Sequence, residues 1–329
     1  MYKLNEIKEI HLETTSKCQA RCPMCPRRLN GGSINPLITL DEIYLDDFKK
    51  WFPVHFLQNL DRLFMCGNLG DPVVAQDTLE IFQYLREINP DIQLSMHTNG
   101  SARTKDWWHK LALADVEVTF GIDGLEDTHS LYRINTDWAT IIKNAQSFID
   151  AGGKANWHML VFKHNEHQIE NCKQLSLEYG FKYFSIKHTS RFKENKLHVI
   201  DDAGKTAYKI YPTQKSLDMI PKVTQFYTDQ SPCIKCKAKQ QKQIYVSANG
   251  NIAPCCWLDM QYKLHIQDTR IDYMDKIEQF PNLREMSIED IFSSDYFKSI
   301  EKTWADDPLL ECSKQCGSFD KLQEQFVES

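Results

Sequence analysis

Cys18, Cys22 and Cys25 stand as C-x3-C-x2-C in the stretch "TTSKCQARCPMCPR". Three thiolates can hold three corners of a cubic iron–sulfur cluster and leave the fourth iron open to a ligand. A structural zinc site wants four protein ligands. No fourth cysteine or histidine stands nearby in the chain, although His11 and His97 could approach in space. Pro23, Pro26 and Arg27 mark the stretch as a loop, a poor place to bury three thiols for packing alone. A second group, Cys233, Cys236, Cys255, Cys256, Cys312 and Cys316, lies toward the C-terminal end. Several pairs in one short region point to a four-thiolate site, and zinc fits that spacing too. Cys172, on a helical stretch, reads as a small buried hydrophobe.

These side chains need elements that carry them to one place. "EIKEIHLETT" reads as a first strand running straight into the cysteine loop. "RLFMC" is a second strand that ends in "GNLGDP", "DIQLSMHTNG" a third, "VEVTFGIDG" a fourth, "ANWHMLVF" a fifth and "KYFSIKH" a sixth. Helical patterns lie between them: "TLDEIYLDDFKKWF" with Thr39 or Asp41 as N-cap, "DTLEIFQYLREINP", "TDWATIIKNAQSFIDAGG" and "NEHQIENCKQLSLEYG", the last with Asn165 as a good N-cap. Repeated strand–helix alternation predicts a parallel α/β sheet, and both an open sheet and a partial barrel satisfy it. Both place their sites at the carboxyl ends of the strands, where the polar motifs fall. Past about residue 200 the alternation stops. "QIYVSANGNIAPCCW" reads as a hairpin turning at Asn249–Gly250, and "SIEDIFSSDYFKSIEKTW" as helix starting at Ser287.

Composition narrows the classes. The 329 residues are 42% hydrophobic and 26% charged, with 11 cysteines. That suits one large domain, or a large one with a smaller attachment. Lys and Arg total 39 against 45 Asp and Glu, so no basic groove for nucleic acid is expected. No apolar run could span a membrane and no secretory signal opens the chain, so a cytoplasmic setting is expected. So many cysteines in a reducing compartment imply metal binding or reactivity.

The cysteine loop after the first strand resembles the signature of the radical SAM superfamily. The resemblance implies a partial (β/α)6 barrel in which Cys18, Cys22 and Cys25 ligate a [4Fe–4S] cluster. S-adenosylmethionine (SAM) would bind the open iron and be cleaved reductively to a 5′-deoxyadenosyl radical. Met24 stands where the family often has an aromatic residue near adenine. Gly70, Asp71 and Pro72 of "CGNLGDPVV" match the family's glycine-rich turn, with Asp71 where Glu is usual. Asn99 of "HTNG" falls near the SAM site. In "FGIDGLEDTHSLYR" the resemblance implies that Asp123 meets ribose hydroxyls or shapes the pocket and that Arg133 pairs with the SAM carboxylate.

The C-terminal cysteines resemble the SPASM/Twitch extension. On that resemblance Cys255 follows the hairpin turn as a ligand, Cys236 is the early ligand, with Cys233 close enough to replace it, and Cys312 and Cys316 are the late pair, giving one auxiliary [4Fe–4S] cluster. The core would span residues 1–215 and the auxiliary domain 216–329. An external one-electron reductant such as flavodoxin or ferredoxin is expected. The motif begins at Cys18, so no leader-peptide recognition domain is expected before it. This favours an oxidoreductase that abstracts hydrogen from a small biosynthetic metabolite, an alcohol or sugar-like molecule. Modification of a peptide or protein residue is the alternative. His188 and Arg191, after the sixth strand, are the candidate catalytic residues, ahead of His158 and Lys163.

Overall fold

The computed structural model describes residues 1–224, 233–263, 276–277 and 280–318. Strands β1 (Glu9–Leu12), β2 (Arg62–Met65), β3 (Gln93–Thr98), β4 (Val116–Gly121), β5 (Lys154–Val161) and β6 (Tyr183–His188) pair in parallel, each with the next. Helices cross over between them, and the result is a partial (β/α)6 barrel. β7 (Leu197–Ile200) and β8 (Thr206–Ile210) form a separate antiparallel pair. β9 (Cys233–Ile234) precedes the predicted hairpin, β10 (Gln243–Val246) and β11 (Ile252–Ala253), and β12 (Gly317–Ser318) returns to pair with β9. β10 also pairs in parallel with β1, so the hairpin joins the barrel sheet as its edge. No helix among the described residues is long and apolar enough to cross a membrane.

The pleat sorts each strand into two faces. One face is apolar and buried under the helices, for example Ile10, Leu12, Leu63, Met65, Leu94, Met96, Val118, Phe120, Trp157 and Met159. The other face lines the lumen and carries polar side chains on every strand, Glu9 and His11, Arg62, Ser95 and His97, Glu117 and Thr119, Asn156 and His158, Ser185 and Lys187, with Phe64 and Leu160 as apolar members. A closed eight-stranded barrel fills this space with branched apolar side chains. Six strands and a C-terminal hairpin leave the lumen wet instead, and Ser185 and Lys187 are solvent-exposed.

The structure departs from the sequence expectations in three details. The first helix is Leu45–Trp51, capped by Tyr44, because residues 39–42 serve the cysteine loop: Ser16 Oγ donates to the Thr39 carbonyl at 2.6 Å and Thr15 bridges Glu42. A helix over Lys105–Leu113, which the sequence reading passes over, starts where the Thr104 side chain accepts the Trp107 N–H. Asn165 sits at a helical N-terminus without capping it with its side chain. That amide is fully buried and donates to the carbonyls of Asp123 (3.1 Å) and Leu160 (2.9 Å), stapling the fourth and fifth strand exits together.

Candidate active site

The loop leaving β1 brings Cys18, Cys22 and Cys25 together, close enough for each to feel its neighbours' charge. The Cys25 N–H donates to the Cys22 carbonyl at 3.0 Å, which coils the loop around the sulfurs. Burial pushes the Cys22 thiol up to about 12 and raises Cys18 and Cys25 as well. Such thiols stay protonated until a cation supplies the charge. Donors already surround them. The Asn99 amide lies 3.6 Å from Cys18 Sγ, the Arg27 N–H serves Cys25, and Arg133 meets Cys22. Arg27 is buried, with one guanidinium nitrogen (Nη1) unpartnered. A buried cation with a spare donor beside three thiols is in need of a nearby anion, and an iron–sulfur cluster ligated by thiolates is one.

The glycine-rich turn after β2 lies against this loop. An ideal Cβ on Gly70 would stand 1.7 Å from the Thr15 carbonyl oxygen, and one on Gly67 would stand 1.7 Å from the Gly70 carbonyl oxygen. Only glycine permits these approaches. Pro72 continues the turn, and its carbonyl accepts Thr78 Oγ1 at 2.6 Å. Asp71 is buried and its carboxylate is fully engaged: Thr98 Oγ1 at 2.7 Å, the Asn99 N–H at 2.7 Å and the Val73 N–H at 3.0 Å all donate to it. It ties the β2 exit to the β3 exit. Asn99 in turn accepts from Gln19 Nε2 at 2.8 Å, so one chain of bonds runs from the turn to the cysteine loop.

Asp123, wholly buried, receives Arg133 Nε at 2.6 Å on one oxygen and the Leu160 N–H at 2.7 Å on the other. Burial alone would weaken the Arg133 charge, but Asp123 and Cys22 hold it firmly protonated. Its guanidinium lies over Gly121, where a Cβ would come within 2.7 Å of Nη2. His129 supports the same turn. Its Nδ1 accepts the Asp123 N–H at 3.1 Å, which leaves Nε2–H facing Thr136 Oγ1 at 3.0 Å. Met24 packs with Cys18, Cys25, Leu160 and Ile134 around a small second core that contains Tyr132 and Phe162.

The sequence candidates after β6 separate. His188 shares a strand face with Phe184 and Ile186, away from the lumen, and its Nδ1 meets Thr213 Oγ1 at 2.9 Å. Lys187 occupies the lumen position instead. Arg191 stands near Cys25, Cys66 and Tyr132, beside the cysteine loop. Lys163 is exposed and paired with Glu166.

The second cysteine group converges at a different place. Cys236, Cys255, Cys312 and Cys316 line one small apolar pocket with Leu258, Ile300 and Trp304. The N–H of Lys239 reaches Cys236 Sγ at 3.5 Å, and those of Lys237 and Leu258 serve Cys316 and Cys255. The Trp304 indole, buried without an oxygen or nitrogen partner, faces Cys312. Four thiols ringed by N–H donors in an apolar pocket fit an iron–sulfur cluster. Cys233 is exposed and lies outside the pocket. Among the described residues no three His, Cys, Asp or Glu side chains form a site for a single metal ion.

Sequence reasoning missed what joins the two regions. Buried Glu13 on the β1 exit accepts the N–H groups of Leu69 (2.6 Å) and Gly70 (3.2 Å) and the Tyr245 hydroxyl (2.7 Å). Tyr245 is on β10, so this carboxylate links the C-terminal hairpin to the glycine-rich turn. Asn68 adds a bond to the Cys256 carbonyl at 3.2 Å. No local motif could have signalled contacts between residues so far apart in the chain.

Two buried histidines set a pH dependence. Burial lowers His11 from 6.5 to about 4, and His129 likewise to about 4. Both are neutral in the folded protein, while the unfolded chain takes up protons below about 6.5. Their depressed values therefore contribute stability above that pH, and it is lost as the pH falls from about 6.5 toward 4, at a cost on the order of 3 kcal/mol for each. Urea midpoints should fall between pH 7.5 and 5.5, and His129→Gln should flatten that slope. Parallel slopes would remove His129 from the account.

Comparison with known proteins agrees with this anatomy. The model of the radical SAM superfamily matches residues 12–175, and that of the SPASM iron–sulfur cluster-binding domain matches residues 231–317. A "tungsten-containing aldehyde ferredoxin oxidoreductase cofactor-modifying protein" of Pyrococcus furiosus is 22% identical over 337 residues, covering 93% of this chain and 87% of that protein. Among solved structures, Streptococcus suis SuiB is similar with a TM-score of 0.57 at 15% identity, over 90% of this chain and 68% of SuiB. AnSMEcpe with bound AdoMet also gives 0.57, at 16% identity, over 90% of this chain and 84% of that one. At these identities the two structures show a shared fold. From the three-cysteine loop on a partial barrel to the four-cysteine pocket beside it, sequence match and geometry coincide, and the chain belongs to the radical SAM superfamily as an enzyme with a SPASM iron–sulfur domain.

Proposed function

We propose that this enzyme abstracts hydrogen from a small polar metabolite held in the barrel lumen and oxidises it by two electrons, an alcohol or sugar-like molecule being the substrate that fits best. The observation that supports this reading is the lumen itself, which carries polar side chains on all six strands and has the three-cysteine loop at the exit of its first strand. In this reading Cys18, Cys22 and Cys25 hold the SAM-binding [4Fe–4S] cluster, and Cys236, Cys255, Cys312 and Cys316 hold one auxiliary cluster. When bound, SAM and its cluster supply hydrogen-atom abstraction, and the auxiliary cluster supplies a place for one electron.

The chain's own residues do the positioning. Gly67 and Gly70 let the turn close on itself and against the Thr15 carbonyl, which sets its backbone beside the cysteine loop. Asp71 and Asp123 shape that pocket by fixing its backbone and Arg133, with their oxygens directed at protein donors. Arg133 and Arg191 are the cations available to the SAM carboxylate or the substrate. His97 and His158 are neutral, because burial lowers both, and a neutral imidazole can accept a hydroxyl proton as a C–H bond is lost. An external one-electron donor of the flavodoxin or ferredoxin kind would prime the enzyme.

A peptide substrate is the second reading. It is favoured by anSMEcpe, a fold relative at 16% identity that has been seen with a bound Cp18Cys peptide. A screen under reducing conditions separates the two readings by following 5′-deoxyadenosine together with substrate mass. Metabolite oxidation gives a product lighter by two hydrogens in step with 5′-deoxyadenosine. Coupled turnover of a peptide, with every metabolite idle, would overturn the first reading.

A further inference from the structure

We infer that Lys235, Lys237, Lys239 and Lys242 form the docking face for an acidic one-electron carrier protein, which exchanges electrons with the C-terminal four-cysteine pocket. The inference rests on that pocket holding a cluster and not on which substrate the lumen takes. From Cys233 to Leu258 the chain carries these four lysines and no acidic residue, in a protein of net charge −6. All four side chains are exposed. Their backbone is fixed all the same. The Lys235 N–H donates to the Cys316 carbonyl at 2.9 Å, and the Lys242 carbonyl accepts the Lys8 N–H at 3.0 Å. The Lys239 ammonium pairs with Glu301 and lies 5.9 Å from the centre of the Trp304 ring.

Position turns a charged face into a redox one. Cys236 stands between Lys235 and Lys237, and the Lys239 N–H reaches its sulfur at 3.5 Å. On the adjoining strand Gly317, next to Cys316, pairs with Ile234. The lysine turn is therefore the outer wall over two of the four thiols. The pocket behind it is lined by no lysine, so these ammonium groups present their charge to solvent while backbone N–H groups face the sulfurs. The three-cysteine loop lacks such a face. There Lys17 pairs with Glu42 at 2.5 Å and Arg21 with Asp202 at 2.7 Å, Arg27 is buried, and Arg28 donates to the Gly32 carbonyl at 3.0 Å. Electron carriers meet their partners through small transient interfaces, and complementary charge sets the rate and orientation of such encounters. A face of four lysines over a thin wall fits a carrier with carboxylates around its redox centre.

Anaerobic rapid mixing with an acidic ferredoxin that carries two [4Fe–4S] clusters, followed by freeze-quench EPR, tests this. The full chain is used with Cys18, Cys22 and Cys25 replaced by alanine, so only the C-terminal pocket can load. Prereduced ferredoxin should pass one electron to that pocket and be oxidised by one, more slowly as salt rises. Lys235→Glu should slow the transfer about fivefold or more at low salt. Lys242→Asn, which suits the left-handed φ of 53° there, should slow it further. Lys173→Glu makes the same charge change as Lys235→Glu, on the helix between β5 and β6, and should leave the rate alone. Dithionite, which needs no docking face, should reduce all these chains alike. No transfer to the chain with its lysines intact, an unchanged rate in Lys235→Glu, or an equal loss in Lys173→Glu would overturn the inference. So would β-lactoglobulin, an acidic protein with no redox centre, competing as well as oxidised ferredoxin, since the face would then be a general polyanion contact. A triple-alanine chain that loads no iron removes the cluster reading itself, a failure seen before any carrier is added.

Discussion

Asp123→Ala will destabilise the barrel by roughly 4 kcal/mol, because removing one partner of a buried ion pair leaves the other uncompensated. Asp123 has no exposed surface, and Arg133 is 18% exposed at the side chain. The guanidinium has Gly121 beneath it and Cys22 beside it, so it cannot swing into solvent without dismantling the pocket wall. The Leu160 N–H loses its acceptor in the same stroke. For a chain of this size the thermal midpoint should fall by about 10 °C. Asp123→Asn retains an acceptor for Leu160 and should fall less, yet it leaves Arg133 without its counter-charge beside the cysteine loop. Calorimetry of wild type and both variants checks this, and an Asp123→Ala midpoint within a degree or two of wild type would contradict it.

Gly70→Ala will lower SAM cleavage by about a hundredfold or more while both clusters remain loaded. The added methyl meets the Thr15 carbonyl carbon at 2.5 Å and its oxygen at 1.7 Å, which are backbone atoms held by the β1 exit. Overpacking of this kind costs about 1–3 kcal/mol and is relieved only by backbone movement. The turn is the part able to move, and moving it breaks the Gly70 N–H bond to Glu13 and the 3.0 Å Asp71 N–H bond to the Lys17 carbonyl. A displacement of about 1 Å beside a bound reactant is enough for losses of this order. Iron content, SAM affinity and 5′-deoxyadenosine yield should be measured together. Normal cleavage in Gly70→Ala would show that the close approach serves no function.

The cysteine chemistry was legible because ligand spacing is local: Cys18, Cys22 and Cys25 lie within one loop, and Cys312 and Cys316 within one helical turn of each other. Strand periodicity was legible for the same reason, and β1 to β6 fall where alternation placed them. Strand parity was harder. His188 is the more familiar catalytic type, but a shift of one residue turns a side chain to the other face, and Lys187 faces the lumen. The motifs mark Asp71 as part of a SAM-site turn, Asp123 as a ribose contact or a shaper of the pocket and Asn165 as an N-cap, and what no motif shows is that all three are buried braces between strand exits. The Glu13–Tyr245 bond and the pairing of β10 with β1 join distant parts of the chain, and no window of sequence contains both partners.

The most direct test of the whole account is 5′-deoxyadenosine formation by the anaerobically reconstituted chain with dithionite and SAM, alongside iron and sulfide counts. The wild type should hold about eight iron and eight sulfide, as two cubanes require, and should cleave SAM. With Cys18, Cys22 and Cys25 all replaced by alanine, roughly four of each should remain in the C-terminal pocket and cleavage should vanish. Cleavage retained in that triple variant, or none from a fully loaded wild type, would contradict it.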